Sequence, residues 1–210
     1  MAIVLLSVEQ HRKGKRGVGT SQEDKEKHHA RIVAIAAKRV REKGLDGISI
    51  ADLMKDAGLT HGGFYRHFGS REDLISEAVE CALGQWTQRT RRDPNKPSAK
   101  RFQAAVDDYL SINHRNSPGG GCAVASLCSE AWRGGKRVRQ AYTRQVKLYL
   151  SLLERVLDGR RRQVARRDSI LALSALVGAV AMARSVDDDQ LSLDLLNSTA
   201  EALKFFLARA

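Results

Sequence analysis

Between Ser49 and Phe68 the chain punctuates itself twice in quick succession, and no other stretch restricts its possible folds so tightly. Ser49 stands where an N-cap belongs, and Asp52, three residues on, can complete a capping box, so a helix begins at Ile50. Ile50, Leu53, Met54 and Ala57 recur at helical spacing as its buried face. Gly58 ends that helix, Leu59 can tuck into a core, and Thr60 caps a further helix predicted to run through Phe68. Phe64 and Phe68, four apart, point inward together. Upstream, Ile32, Ile35, Ala36, Arg39 and Val40 form one stripe on a longer helix from Glu23 to Gly44. Downstream, Gly69 closes the third helix, and Ser70 with Asp73 repeats the capping logic for a fourth that runs to about Arg89.

Two short helices joined by a tight Gly-containing turn, with a longer helix packed against both, form the geometry that sets one helix into a DNA major groove. The outward face of the Thr60–Phe68 helix would carry His61, Gly62, Tyr65 and Arg66 toward the duplex. Gly62 and Gly63 each cost a helix interior roughly 1 kcal/mol against Ala, so they call for a reason. Close approach of the backbone to phosphate or a base edge is one, and tight packing against another helix is the other. Tyr65 can reach a phosphate oxygen and fix register, Arg66 and Arg71 add positive charge, and His61 and His67 can donate to phosphate or base acceptors. A formal charge of +12 suits a polyanion partner.

The remainder reads as helices near 101–113, 122–133, 137–157, 168–186 and 191–208, with a loop at Ser117–Gly121 and a Pro-containing connection at 91–98. Only 3 Pro, and no stretch that alternates as a strand would, make the chain all-α. We expect a flexible basic tail at 1–22, a three-helix helix-turn-helix domain at 23–72, and a larger helical body at 73–210. Met1–Val8 is too short for a secretory core, and the apolar run from Ile170 to Ala183 is too short to span a bilayer. With Cys81, Cys122 and Cys128 an odd set without metal or redox spacing, a cytoplasmic protein without disulfides, metal or other cofactor follows.

No enzyme is expected. Metal-ligand spacing, a nucleophile elbow and a phosphate-cradling loop are missing, and Gly119–Gly121 neither follows a strand nor ends in Lys-Ser or Lys-Thr.

The runs Ile48–Met54, Ala57–Phe68 and Arg71–Leu74 closely resemble the tetracycline-repressor (TetR) family of transcriptional regulators, over about residues 28–80. Gly58, Gly63, Tyr65, Phe68 and Leu74 meet the pattern together, and Arg71 stands where the family often has Lys. The resemblance implies a homodimer on a palindromic DNA operator, with a helical body that holds a small-molecule effector. It further implies that Ser49, Thr60, His61, Gly62, Tyr65, His67 and Arg71 fall at DNA-contact positions.

The last two helices are the expected dimer face, carried by Leu173, Leu176 and Val180 on one and by Leu195, Phe205 and Phe206 on the other, with an intramolecular core the alternative. Candidate effector residues are Trp86, Tyr109, Asn113, Cys122, Cys128, Trp132, Tyr142 and Tyr149. Two further readings stay open: a thiol-based redox or electrophile sensor using Cys122 or Cys128, and an architectural DNA-binding protein without sequence preference.

Overall fold

A computed structural model describes residues 22–89, 98–157 and 162–208. Residues 1–21 of the basic tail and 91–97 of the Pro-containing connection lie outside these residues, while Gln22 and Ser98 already open helices. The order is α1 (Gln22–Lys43), α2 (Ile50–Asp56), a 3₁₀ segment (His61–Arg66), α3 (Arg71–Arg89), α4 (Ser98–Tyr109), α5 (Ile112–Asn116), a 3₁₀ turn (Pro118–Gly120), α6 (Ala123–Leu127), α7 (Lys136–Val156), α8 (Arg162–Ser185) and α9 (Asp189–Ala208). No strand occurs among the described residues.

α1 opens with Glu23 and Asp24 and closes with Arg41 and Lys43, which complements the helix dipole at both ends. Gly44 ends it at φ +76°, donating to the Val40 carbonyl, and Gly58 ends α2 at φ +70°. Ser49 caps α2 by accepting from the Asp52 N–H, and Ser70 and Asp73 exchange hydrogen bonds at the start of α3. These terminators and caps lie where the sequence puts them.

One apolar core runs through the whole chain. Ile32, Ala36 and Val40 of α1 meet Leu53 and Met54 of α2, Phe64 and Phe68, and Leu74, Ala78 and Val79 of α3. The Phe64 and Phe68 rings stack at 5.4 Å, and complete burial of a ring of this size is worth about 2–3 kcal/mol. α3 packs on α1 and also on α7, so it belongs to head and body alike. The expected domain boundary at 72–73 falls within its first turn.

Three expectations on the body change. The span 122–133 is helical only over Ala123–Leu127, because Gly134 and Gly135 follow so closely that the chain turns through residues 128–135 before α7 can start. The span 101–113 divides into α4 and α5 at Ser111, whose hydroxyl caps the His114 N–H. α8 begins at Arg162, ahead of the expected Asp168, and pairs with α9 across a short turn. Gln163–Ser185 is long and apolar enough to cross a membrane, yet 44% of its most apolar window is buried inside the protein, as in a core helix.

A candidate DNA-binding surface

The expected recognition helix is a 3₁₀ segment instead of an α-helix. Gly63 donates to the Thr60 carbonyl and His67 to that of Phe64, both three residues back, and the Thr60 side chain makes no capping bond. Six residues with two adjacent glycines gain too little from α-geometry to hold it, and packing of Phe64 fixes the segment instead.

Anchored by Phe64 at 1% exposure, the segment turns its other side chains outward: Thr60, His61, Gly62 and Arg66 are exposed, and Tyr65 is 72% exposed. Ser49 is exposed beside them, while Gly63 is half-buried, with room for a Cβ against Met54 and Thr60 at ordinary contact distances. Gly62 has negative φ and open space where a Cβ would stand. Neither its backbone conformation nor packing among the described residues therefore requires glycine there. Tight packing, the alternative reason for Gly62, finds no neighbour among the described residues.

Two expected contact residues face elsewhere. His67 turns back on α1, its ring 6.4 Å from that of His28 and 6.1 Å from that of His29, with a buried Nδ1 that lacks a hydrogen-bond partner. Burial, then the nearby His29, His28, Lys25 and Arg66 charges, lowers its pKa. Arg71 is half-buried and turns one amino group to the Leu45 carbonyl at 3.1 Å, bracing the α1–α2 turn. Position in the motif put both on the DNA side; α1 and the turn pull them inward.

The head is tied to the body by polar struts. Glu130 accepts the Leu45 N–H at 2.7 Å, Arg137 reaches Asp73 at 2.6 Å, and Arg144 reaches Glu80 at 2.7 Å. Buried Arg41 of α1 donates through Nε to the Gly119 carbonyl at 2.8 Å. None of these was legible in the sequence, since each joins residues distant along the chain.

Among the expected effector residues, Tyr109, Cys122 and Tyr149 come together in the buried body, with the Cys122 sulfur 3.7 Å from the Tyr149 hydroxyl. Burial pushes the Tyr109 hydroxyl well up in pKa, as do Cys122 and Tyr149 beside it. Tyr142 donates to the Val124 carbonyl at 3.0 Å, and its pKa too is raised, first by burial. Sequence reasoning missed His114, which joins this cluster: its Nε2 accepts the Cys122 N–H at 2.9 Å while Nδ1 faces the Tyr109 carbonyl at 2.5 Å. Asn113, Cys128 and Trp132 are exposed outside the cluster, and the Trp86 side chain lies outside the described residues.

The dimer expectation needs a correction. Leu173, Leu176 and Val180 are buried in the chain's own core, as the intramolecular alternative has it. α8 is apolar nearly all round, so its pattern could not say which side its own α9 and α7 would cover. The exposed apolar side of α8 instead carries Leu171 and Met182, with half-buried Ala175 and Gly178 between them. On α9, Leu195 is half-buried while Leu191, Phe205 and Phe206 are exposed.

A three-element head that presents a short segment outward from a helical body is the architecture of a helix-turn-helix DNA-binding regulator. Residues 32–78 match the bacterial regulatory proteins of the tetR family. An uncharacterized HTH-type transcriptional regulator of Mycobacterium tuberculosis is 30% identical over 179 residues, covering 80% of this chain and 89% of that one. The transcriptional repressor KstR2 of the same species is 24% identical over 136 residues, covering 60% of this chain and 65% of that one. The fold is shared with a solved TetR transcriptional regulator from Chloroflexus aurantiacus at a TM-score of 0.74 and 22% identity, covering 89% of this chain and 96% of the other. The chain belongs to the tetR family of bacterial regulatory proteins: it is a helix-turn-helix transcriptional regulator that binds DNA, and not an enzyme.

Proposed function

We propose that this regulator acts in the cytoplasm as a homodimeric repressor that grips a palindromic operator and is released by a small-molecule effector. The observation that carries the operator part is Gly62, a helix-weakening residue that neither its backbone conformation nor packing among the described residues requires. A backbone bared toward a phosphate or base edge accounts for it. Around it, Tyr65 and Thr60 would hold phosphates, His61 and Arg66 would reach base edges, and Ser49 and Gly63 would border the contact. The likeness to a chain named a transcriptional repressor supports the direction of control.

The dimer part rests on the exposed apolar strip of α8 and α9, in which Leu171, Met182, Leu191 and Phe205 are each close to half exposed or more. Two copies of that strip would form a four-helix interface, and the gap at Gly178 would let partner helices approach. The effector part rests on the buried polar cluster of Tyr109, His114, Cys122 and Tyr149, next to the loop that Arg41 of the head binds. A change there would shift the spacing of the two heads and weaken the match to half-sites one helical turn apart.

Genome-wide mapping of bound sites, followed by footprinting, tests the operator reading. A single palindromic footprint is the expected result, and uniform coating of DNA at the same concentration would overturn it in favour of an architectural role.

A further inference from the structure

A cleft of about 700 Å³ opens between the head and the turn that joins α6 to α7, and none of the effector residues singled out above lines it. Its volume lies within the range of small-molecule sites. Leu45, Ile75 and Val138 give it an apolar floor. The two walls differ in charge. The body wall offers Arg133, Lys136 and Arg137 with Glu130 beside them; the head wall offers Asp46 and Glu72 beside Arg71.

The protein already employs several of these groups. Through one amino group each, Arg71 bonds the Leu45 carbonyl and Arg137 bonds Asp73, and Glu130 accepts the Leu45 N–H. Arg133 keeps most of its donors open, with one bond to the Ser129 carbonyl and its guanidinium 5.3 Å from the centre of the exposed Trp132 ring. Lys136 is exposed on the same wall, where Gly135 supplies no side-chain cap to α7 and leaves open space beside it. Cations in the first turn of a helix also oppose its dipole, which adds to the positive potential on this wall.

We propose that this cleft binds a small phosphorylated molecule. The phosphate sits against Arg133 and Lys136 on the body wall, and hydroxyl or amine donors at the other end meet Asp46 and Glu72 on the head wall. A phosphate placed there competes with Asp73 for the Arg137 guanidinium, so occupancy loosens a strut between head and body. This deepens the effector part of the proposed function and rests on it for its regulatory meaning; binding itself is measured without DNA, so failure of the operator reading would leave the binding result intact.

Calorimetric titration of the whole chain with inorganic phosphate, O-phosphoethanolamine and ethanolamine tests it. O-phosphoethanolamine should saturate the protein and bind tighter than either fragment. The double variant Arg133→Ala/Lys136→Ala should lose at least about tenfold in affinity for both phosphates, equivalent to about 1.4 kcal/mol. Both residues are exposed, and unchanged thermal unfolding will show that the variant is folded. Glu72→Gln should remove the advantage of O-phosphoethanolamine over inorganic phosphate and leave the latter unchanged. Absence of saturable heat with either phosphate up to about 10 mM, or a double variant that titrates like the parent, overturns the proposal. The same holds if the double variant leaves both phosphate titrations unchanged and lowers the salt dependence of DNA binding by about two charges, for then operator phosphates occupy the cleft.

Discussion

Replacing Gly44 by Ala separates two costs that a second glycine, Gly58, lets us weigh. Both close a helix at positive φ, at +76° and +70°, so Ala at either position forces a β-carbon into the left-handed region at about 1–2 kcal/mol. At Gly58 nothing lies within 4 Å of the new methyl, so that is the whole cost. At Gly44 the methyl would stand 2.5 Å from both carboxylate oxygens of Glu130, which must move and release the Leu45 N–H. A hydrogen bond to a charged group contributes about 1.5–3 kcal/mol, and partial exposure of Glu130 argues for the lower end. Gly44→Ala should therefore destabilise by about 3 kcal/mol against about 1–2 for Gly58→Ala. At about 2–4 °C per kcal/mol for a chain of this size, the two melting temperatures should separate by several degrees in a thermal unfolding scan. In a Glu130→Ala background the gap should close. Equal melting temperatures for the two glycine variants in the parent would mean that the Glu130 strut adds nothing to stability, and the account of how the head is held would be wrong.

Tyr65→Ala should weaken binding to operator and random DNA alike, whereas His61→Ala should change preference at one half-site position; equal losses on random DNA, read by fluorescence anisotropy, would contradict that division. Gly178→Leu should block close approach of a partner helix; a Cβ there meets nothing within 4 Å among the described residues, and unchanged far-UV circular dichroism will show that the longer side chain leaves the fold intact. Sedimentation velocity should show a shift from dimer to monomer, and an unchanged dimer would place the interface elsewhere. His114 gives a pH signature: burial lowers its pKa below 6.5, so the unfolded chain binds its proton first. Its contribution to stability is complete above pH 6.5 and falls as pH drops through that value, levelling off below the folded pKa. Chemical denaturation between pH 7.5 and about 5 should show that slope, reduced in His114→Asn, and a slope of opposite sign would refute the neutral, buried assignment.

The head was legible because its signals are local. Ser49, Gly58, Ser70 and the pair Phe64 and Phe68 act within one turn of their own positions, and the fold honours each of them. Legibility fails where the answer depends on what arrives from far along the chain. Whether the Thr60–Phe68 stretch becomes α or 3₁₀ depends on how Phe64 is seated by α1 and α2, and the sequence pattern suits either. His67 and Arg71 occupy motif positions that point to DNA, yet α1 histidines and the Leu45 carbonyl claim them. On α8 the same limit acts more strongly, because an all-round apolar helix carries no phase information, and Leu173, Leu176 and Val180 turn inward while Leu171 and Met182 remain outside.

The same distinction bears on how a signal could reach the DNA. The apolar core continues from α1 through α3 into α7 without a break, and close-packed interiors resist gradual deformation. A reorientation of the head must therefore use contacts that can change state singly. The polar struts are such contacts: Arg137 can exchange Asp73 for another anion, Glu130 can release the Leu45 N–H, and Arg41 is held by the carbonyl of the Gly119 loop. Arg137–Asp73 bears on α3, Glu130 on the turn between α1 and α2, and Arg41 on α1; the outward 3₁₀ segment packs chiefly on α2, which packs in turn on α1. On the proposed reading, an effector in the buried cluster would act through the Gly119 loop, and one in the cleft would act through Asp73. Arg41→Met should then uncouple the first route while leaving the second, and a variant in which both responses vanish together would show that the struts do not work separately.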